Sequence, residues 1–222
     1  MKNLKIRLWN NDRGQRFEMP WANSEIAQLL IAWIVLGLCF SIRPMFGYSF
    51  LYRFIISLIT VGFGFLGHEL AHKFIAIRYG YSAKFQLWTM GLGMALFFAV
   101  STGGGMIFAA PGAVYITQKL RNIYLSNDPQ DEHTHNGLIS ISGPLFNVIL
   151  ALMFFFLSTL NFEILRVVGN YGLVINLWLA TFNMVPFPPM DGWKVFRWNK
   201  LYWAITAIPL GVIMLSGMIY LG

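Results

Sequence analysis

Residues 54–77 read FIISLITVGFGFLGHELAHKFIAI. The uncharged stretch Phe54 to Gly67 runs without a break into His68-Glu69-Leu70-Ala71-His72, so an apolar helix ends in three ionisable groups. Residues four apart on a helix lie one above the other, which lets His68 and His72 reach a single zinc ion. The Glu between them can address a metal-bound water, and H-E-x-x-H is the pattern that hydrolytic zinc sites use. Three ionisable groups left unpaired near lipid would be costly, so a metal or a polar partner is expected. With the helix starting near Arg53 at one surface, a rise of 1.5 Å per residue puts His68 roughly 22 Å into a hydrocarbon core about 30 Å thick.

Composition supports a lipid solvent. Of 222 residues, 57% are hydrophobic, 17% aromatic and only 11% charged, and the mean hydropathy is +0.59. Those proportions exclude a disordered chain and argue against an ordinary soluble domain, whose charged share is about twice as large. Cys39 is the single cysteine, which excludes an internal disulfide and a cysteine-based zinc site. The basic stretch before the first apolar run lacks the form of a cleavable signal, so that first span is expected to stay as an anchor.

Apolar runs suited to a bilayer of about 20 residues occur at Ile26 to Ile42, Phe54 to Gly67, Gly137 to Leu160, Tyr171 to Met190 and Leu201 to Gly222. The expected fold is an all-α polytopic membrane protein of about five transmembrane helices. Residues 1–25 form a basic arm and 26–222 a single transmembrane domain. Short cytoplasmic loops carry excess Lys and Arg. A cytoplasmic N-terminus places Lys2, Lys5, Arg7, Arg13 and Arg16 inside, with Lys73, Arg78, Lys84, Lys119, Arg121, Lys194, Arg197 and Lys200. Only Arg43, Arg53 and Arg166 then fall outside. The positive balance is explained by orientation, so no nucleic-acid partner is expected, and the basic arm with Trp21 suits anionic headgroups.

Both flanks of Phe85 to Thr117 are basic, so this apolar stretch has to return to the side it left. Ser101-Thr102-Gly103-Gly104-Gly105 breaks it at its centre. Each arm is short for a helical span, and a re-entrant hairpin rich in β structure, packed against protein, is expected over 85–117. Two short helices are the alternative.

Catalytic zinc usually has three protein ligands and an open position. Asp128, Asp131, Glu132, His133 and His135 read as a solvated polar connection, with a metal cluster as the alternative, and Glu163 falls on the far side. Asp191 remains. It follows Asn183-Met184-Val185-Pro186-Phe187-Pro188-Pro189-Met190, where prolines end a span, and irregular backbone at membrane depth is tolerated around a protein-lined cavity.

H-E-x-x-H in a membrane helix, followed about 120 residues later by N-x-x-P-x-x-x-x-D-G, resembles the site-2 protease family of intramembrane zinc metalloproteases. Gly143-Pro144-Leu145-Phe146-Asn147 is similar to that family's G-P-x-x-N. The likeness covers a catalytic core at 54–192 and is to a minimal form, with no stretch reading as a PDZ insertion or a nucleotide-sensing module. It departs from the family at Met190, where Leu is common, and at Trp193, where a second Gly is frequent. The resemblance implies His68, His72 and Asp191 as zinc ligands, Glu69 as general base, and Asn147 and Asn183 as residues holding substrate or an oxyanion. It also implies that the 85–117 hairpin pairs with an extended substrate.

The expected activity is Zn2+-dependent hydrolysis of a peptide bond in or near the transmembrane helix of a membrane-protein substrate, with the active site toward the cytoplasmic side of a multi-pass cell-membrane protein. A catalytically silent membrane protein that binds or transports a metal is the competing reading, although no inverted repeat supports a transporter. Sequence leaves the oligomeric state open.

Overall fold

The oxygen of Ser24 accepts the Ala27 N–H at 3.0 Å and starts the first helix, α1 (Glu25–Ile42). The computed structural model describes residues 24–44, 47–118 and 129–220. The basic arm with Trp21, and the Lys119 and Arg121 connection with Asp128, lie outside the described residues. After α1 the chain forms α2 (Phe50–Val61), a π-helical turn (Gly62–Leu66) and α3 (Gly67–Arg78), which together make one rod of 29 residues. A short strand, β1 (Tyr81–Leu87), follows, then α4 (Thr89–Ser101) and β2 (Gly112–Gln118). Three long or medium helices and a short one complete the fold: α5 (Pro129–Ser158), α6 (Glu163–Asn183), α7 (Asp191–Trp198) and α8 (Lys200–Tyr220).

Among the described residues, four helical stretches are long and apolar enough to cross a membrane: Glu25–Ile42, Phe50–Arg78, Asp131–Ser158 and Glu163–Asn183. Of the fifth expected span, at Leu201 to Gly222, the residues to Tyr220 are described and helical, and the apolar part Lys200–Ser216 is shorter than the other four. The fourth starts eight residues earlier than the uncharged run suggested. Glu163 opens its first turn, where a carboxylate complements the helix dipole, and Arg166 is carried on the same turn. Large apolar side chains cover the outside of the bundle, among them Ile26 at 72%, Phe74 at 65% and Phe156 at 66% exposure. A soluble protein hides such groups; here lipid is their solvent.

Over 85–117 the chain is neither a plain strand hairpin nor two short helices: it holds two strands with one helix between them. β1 and β2 pair antiparallel, Phe85 opposite Val114 and Leu87 opposite Gly112, and α4 fills the space between them. Small residues explain the helix. Gly91, Ala95 and Ala99 form a buried stripe on α4, which packs against α1, while Met90, Phe97 and Val100 face outward. Trp178 of α6 donates its ring N–H to the Ile107 carbonyl at 2.9 Å, tying the return segment to the bundle.

The two edges of this ribbon differ. Phe85 N–H donates to Glu25 Oε1 at 3.0 Å and Leu87 N–H to Gln28 Oε1 at 2.8 Å, so side chains of α1 cover the outer edge of β1. Glu25 also pairs with Lys73 Nζ at 2.6 Å, one residue beyond His72. Because Phe85 and Leu87 point away from β2, the register turns the backbone groups of Gly112, Val114 and Ile116 toward the opposite edge of the ribbon. Glu25→Ala is expected to leave the Phe85 N–H and Lys73 without this partner, at a cost of about 1–2 kcal/mol. Hydrogen exchange should then quicken at Phe85 while the amides of α5 and α6 stay protected; unchanged protection at Phe85 would contradict the edge-capping role.

Candidate metal centre

The rod from Phe50 to Arg78 delivers His68, Glu69 and His72 into the bundle, and all three are buried. The π-helical turn lies immediately before them, built on Gly62, Gly64 and Gly67, where a widened turn meets little steric resistance. The two imidazoles stand edge to face with centroids 4.6 Å apart. Asp191 arrives from the other end of the chain, on the first turn of α7. The extended Met190 precedes it, and Gly192 lies against the Met184 backbone, where a Cβ would come within 2.3 Å. Here the 186–189 proline segment ends α6 and turns the chain back to the two histidines.

Three donor atoms converge. His68 Nε2 and His72 Nε2 are 3.0 Å apart, and Asp191 Oδ2 lies 3.3 Å from the first and 2.9 Å from the second. The far side of each ring shows which atoms carry protons. The Ile139 carbonyl only accepts, so His72 Nδ1 donates to it at 2.7 Å. Asn147 presents Oδ1 to His68 Nδ1 at 2.6 Å, so that nitrogen donates as well. Neutral imidazoles with Nδ1–H have bare Nε2 atoms. In that form two nitrogen lone pairs and a carboxylate oxygen meet at one point, an arrangement that suits a cation between them.

The donor chemistry fits zinc. Bonds of about 2.0–2.1 Å in a tetrahedron separate neighbouring donors by about 3.3 Å, close to the distances seen here. Two neutral imidazoles and one carboxylate make a common catalytic set with an open position. Lys194 Nζ lies 3.3 Å from Asp191 Oδ1, which leaves Oδ2 for the metal. Space is kept as well: a Cβ on Gly143 would sit 2.5 Å from His72 Nε2 and 2.6 Å from His68 Nε2.

A cavity opens on these atoms. Glu69, Asn183, Asp191 and Lys194 line it on one side, and Gly112 and Val114 of β2 on the other. Glu69 Oε2 is buried and has no hydrogen-bond partner among the described residues. Asn183 lines the cavity while its Nδ2 donates to the Leu179 carbonyl at 3.0 Å.

Asn147, expected with Asn183 to hold substrate or an oxyanion, is placed elsewhere. It is fully buried behind His68, on the Nδ1 side of the ring, and all its amide hydrogens are spent inside the protein: Nδ2 donates to the Gly64 carbonyl at 3.0 Å and to Asn176 Oδ1 at 2.9 Å. Asp131, Glu132, His133 and His135 lie on the first turns of α5 and form no metal-binding group among the described residues. His135 stacks on Tyr79 and meets the Tyr81 hydroxyl at 3.0 Å, and His68, His72 and Asp191 are the one convergent metal-binding group among the described residues.

Sequence reading missed three supports of the site: Asn176, the Gly143 backbone as a spacer, and Lys194 beside Asp191. Asn176 alone left a signal, as an isolated amide within an apolar span. Gly143→Ala and Asp191→Ala are each expected to reduce the zinc content of purified protein by more than half, measured by elemental analysis. Metal content equal to wild type in both would remove this centre.

Comparison with known proteins agrees with the geometry. The sequence profile of peptidase family M50 matches residues 55–172. A protein described as a candidate zinc metalloprotease of Methanocaldococcus jannaschii is 42% identical over 202 residues, 90% of this chain and 97% of the relative. Another of the same description, from Bacillus subtilis, is 27% identical over 150 residues, 63% of this chain and 66% of that protein. No solved structure matches the chain.

Proposed function

The chain belongs to peptidase family M50, the site-2 protease family of zinc metalloproteases, and from that premise we propose that it cleaves a peptide bond in or near the transmembrane helix of a membrane-protein substrate. One observation carries this reading: two imidazole nitrogens and a carboxylate oxygen converge beside Glu69, whose Oε2 has no hydrogen-bond partner among the described residues, in a cavity that residues of β2 also line.

A zinc ion held by His68, His72 and Asp191 would supply Lewis-acid polarisation of the scissile carbonyl and acidify the attacking water. Glu69 takes the proton of that water through its free Oε2 and passes it to the leaving amide nitrogen, which a neutral amide needs in order to depart. Asn183, which also lines the cavity, steadies the carbonyl oxygen as charge develops on it. Lys194 keeps Asp191 engaged through one oxygen only.

The substrate binds as a strand. A helical carbonyl is shielded by its own hydrogen bond, so the segment has to unwind, and in lipid its freed backbone groups require new partners. The Gly112–Ile116 edge offers them, through the N–H and C=O of Gly112, Val114 and Ile116, beside the metal-binding atoms. In this topology the 85–117 segment enters and leaves from one membrane face, the N-terminus is cytoplasmic, and water reaches Glu69 from that side past Lys194. A silent metal-binding or transport protein would keep the zinc and leave the substrate whole.

Glu69→Gln is expected to retain zinc and to lower cleavage of a single-span substrate in detergent by about 10²–10⁴-fold, the usual worth of a general base. Equal cleavage by both proteins, or cleavage that persists with a strong chelator, would refute the reading. Val114→Pro removes an edge donor without touching the β1–β2 ladder. It should keep full zinc and reduce kcat/KM about tenfold, the effect of roughly one hydrogen bond lost; an unaltered kcat/KM would exclude strand pairing there.

A further inference from the structure

Behind His68 a chain of buried amides crosses from α5 to α6. His68 Nδ1–H donates to Asn147 Oδ1 at 2.6 Å, Asn147 Nδ2 to Asn176 Oδ1 at 2.9 Å, and Asn176 Nδ2 to the Gly172 carbonyl at 2.8 Å. Both asparagines are completely buried. The Gly64 carbonyl of the π-helical turn takes the other Asn147 hydrogen at 3.0 Å. Such a chain can run in only one direction. The two main-chain carbonyls at its ends accept and never donate, so each demands an NH2 group. Gly172 therefore turns Asn176 Oδ1 toward Asn147, and Gly64 with Asn176 turns Asn147 Oδ1 toward His68.

We propose that Asn176 is a positioning residue for the metal: by holding the Asn147 amide in one orientation it keeps the proton of His68 on Nδ1 and the Nε2 lone pair directed at the ion. This rests on the zinc site of the proposed function and extends it to a residue that touches neither metal nor substrate. Without the Asn176 acceptor, one Asn147 N–H is stranded in an apolar interior, and the amide is held by Gly64 alone. A rotated Asn147 would offer NH2 to His68 Nδ1. The ring would then carry its proton on Nε2, where the metal binds. Partners of this outer kind typically change metal affinity 10–100-fold.

The local packing is built around the chain. A Cβ on Gly64 would come within 2.8 Å of Asn176 Oδ1, so glycine at that place lets the rod approach the amide. Gly172 in turn lies against the Phe154 ring, which brings α5 and α6 close enough for Asn147 and Asn176 to meet.

The test measures zinc affinity by chelator competition and the visible absorption of the cobalt-substituted protein, on purified full-length chain in detergent. Asn176→Leu is expected to weaken zinc binding at least tenfold and to change the cobalt spectrum. Asn176→Ser, a milder replacement, should shift both in the same direction and decides the matter if the leucine variant does not fold. Thr181→Val on the same helix removes a buried hydroxyl that has no partner among the described residues, and it should leave both readouts unchanged. In an Asn147→Ala background, Asn176→Leu should add no further loss, because Asn176 acts through Asn147. Wild-type affinity and spectrum in the Asn176 variants, or full additivity with Asn147→Ala, would overturn the proposal. Failure of the wild-type chain to bind zinc or cobalt would instead sink the metal site itself.

Discussion

Electrostatic repulsion among three buried lone pairs is the constraint around which this protein is arranged. His68 Nε2, His72 Nε2 and Asp191 Oδ2 are pressed to within 3.3 Å of each other, and each ring donates from its other nitrogen, so a neutral imidazole turns a bare Nε2 toward the group. In a buried site such a concentration of negative potential is met best by a cation. Every element packed around the site either aims one of these atoms or keeps its neighbours from interfering.

The helices divide that work by chemistry. The rod from Phe50 to Arg78 carries both imidazoles and the base, and the Gly64 carbonyl of its π-helical turn anchors an amide of α5. α5 contributes Asn147 and the Ile139 carbonyl, one behind each ring, and leaves Gly143 bare where the ion fits. α6 supplies Asn176, and α7 brings the carboxylate together with the lysine that occupies its second oxygen. The ribbon adds an asymmetry with functional weight: α1 covers the β1 edge with Glu25 and Gln28, while the Gly112–Ile116 edge lines the cavity.

Much of this was legible in the sequence, for reasons that can be stated. His68, Glu69 and His72 sit within one helical turn, so spacing alone fixes their relation. Asp191 was reachable by elimination, because prolines at membrane depth need a cavity to face. Span boundaries were less legible: an uncharged run marks where charge is forbidden, and α6 extends beyond its run because Glu163 and Arg166 are tolerated at its end. The hairpin escaped a simple description because the Gly91, Ala95 and Ala99 stripe makes a helix between two strands, and that stripe acquires meaning only against α1. Asn147 was assigned to the substrate from likeness to the family, whereas the direction of a side chain, toward the cavity or behind a ring, is set by contacts 29 and 83 residues away. Asn176 depends on one of those same long-range contacts, whereas Lys194 gains its role from Asp191, three residues away on α7, only once α7 is brought to the histidines.

X-ray absorption at the zinc edge of the purified protein tests the central claim most directly, because it reports the atoms bound to the ion without depending on turnover. The account expects two imidazole nitrogens and light oxygen donors, four in all, at about 2.0–2.1 Å and with no sulfur. A zinc ion with one imidazole or none, or one bound through sulfur, would contradict it.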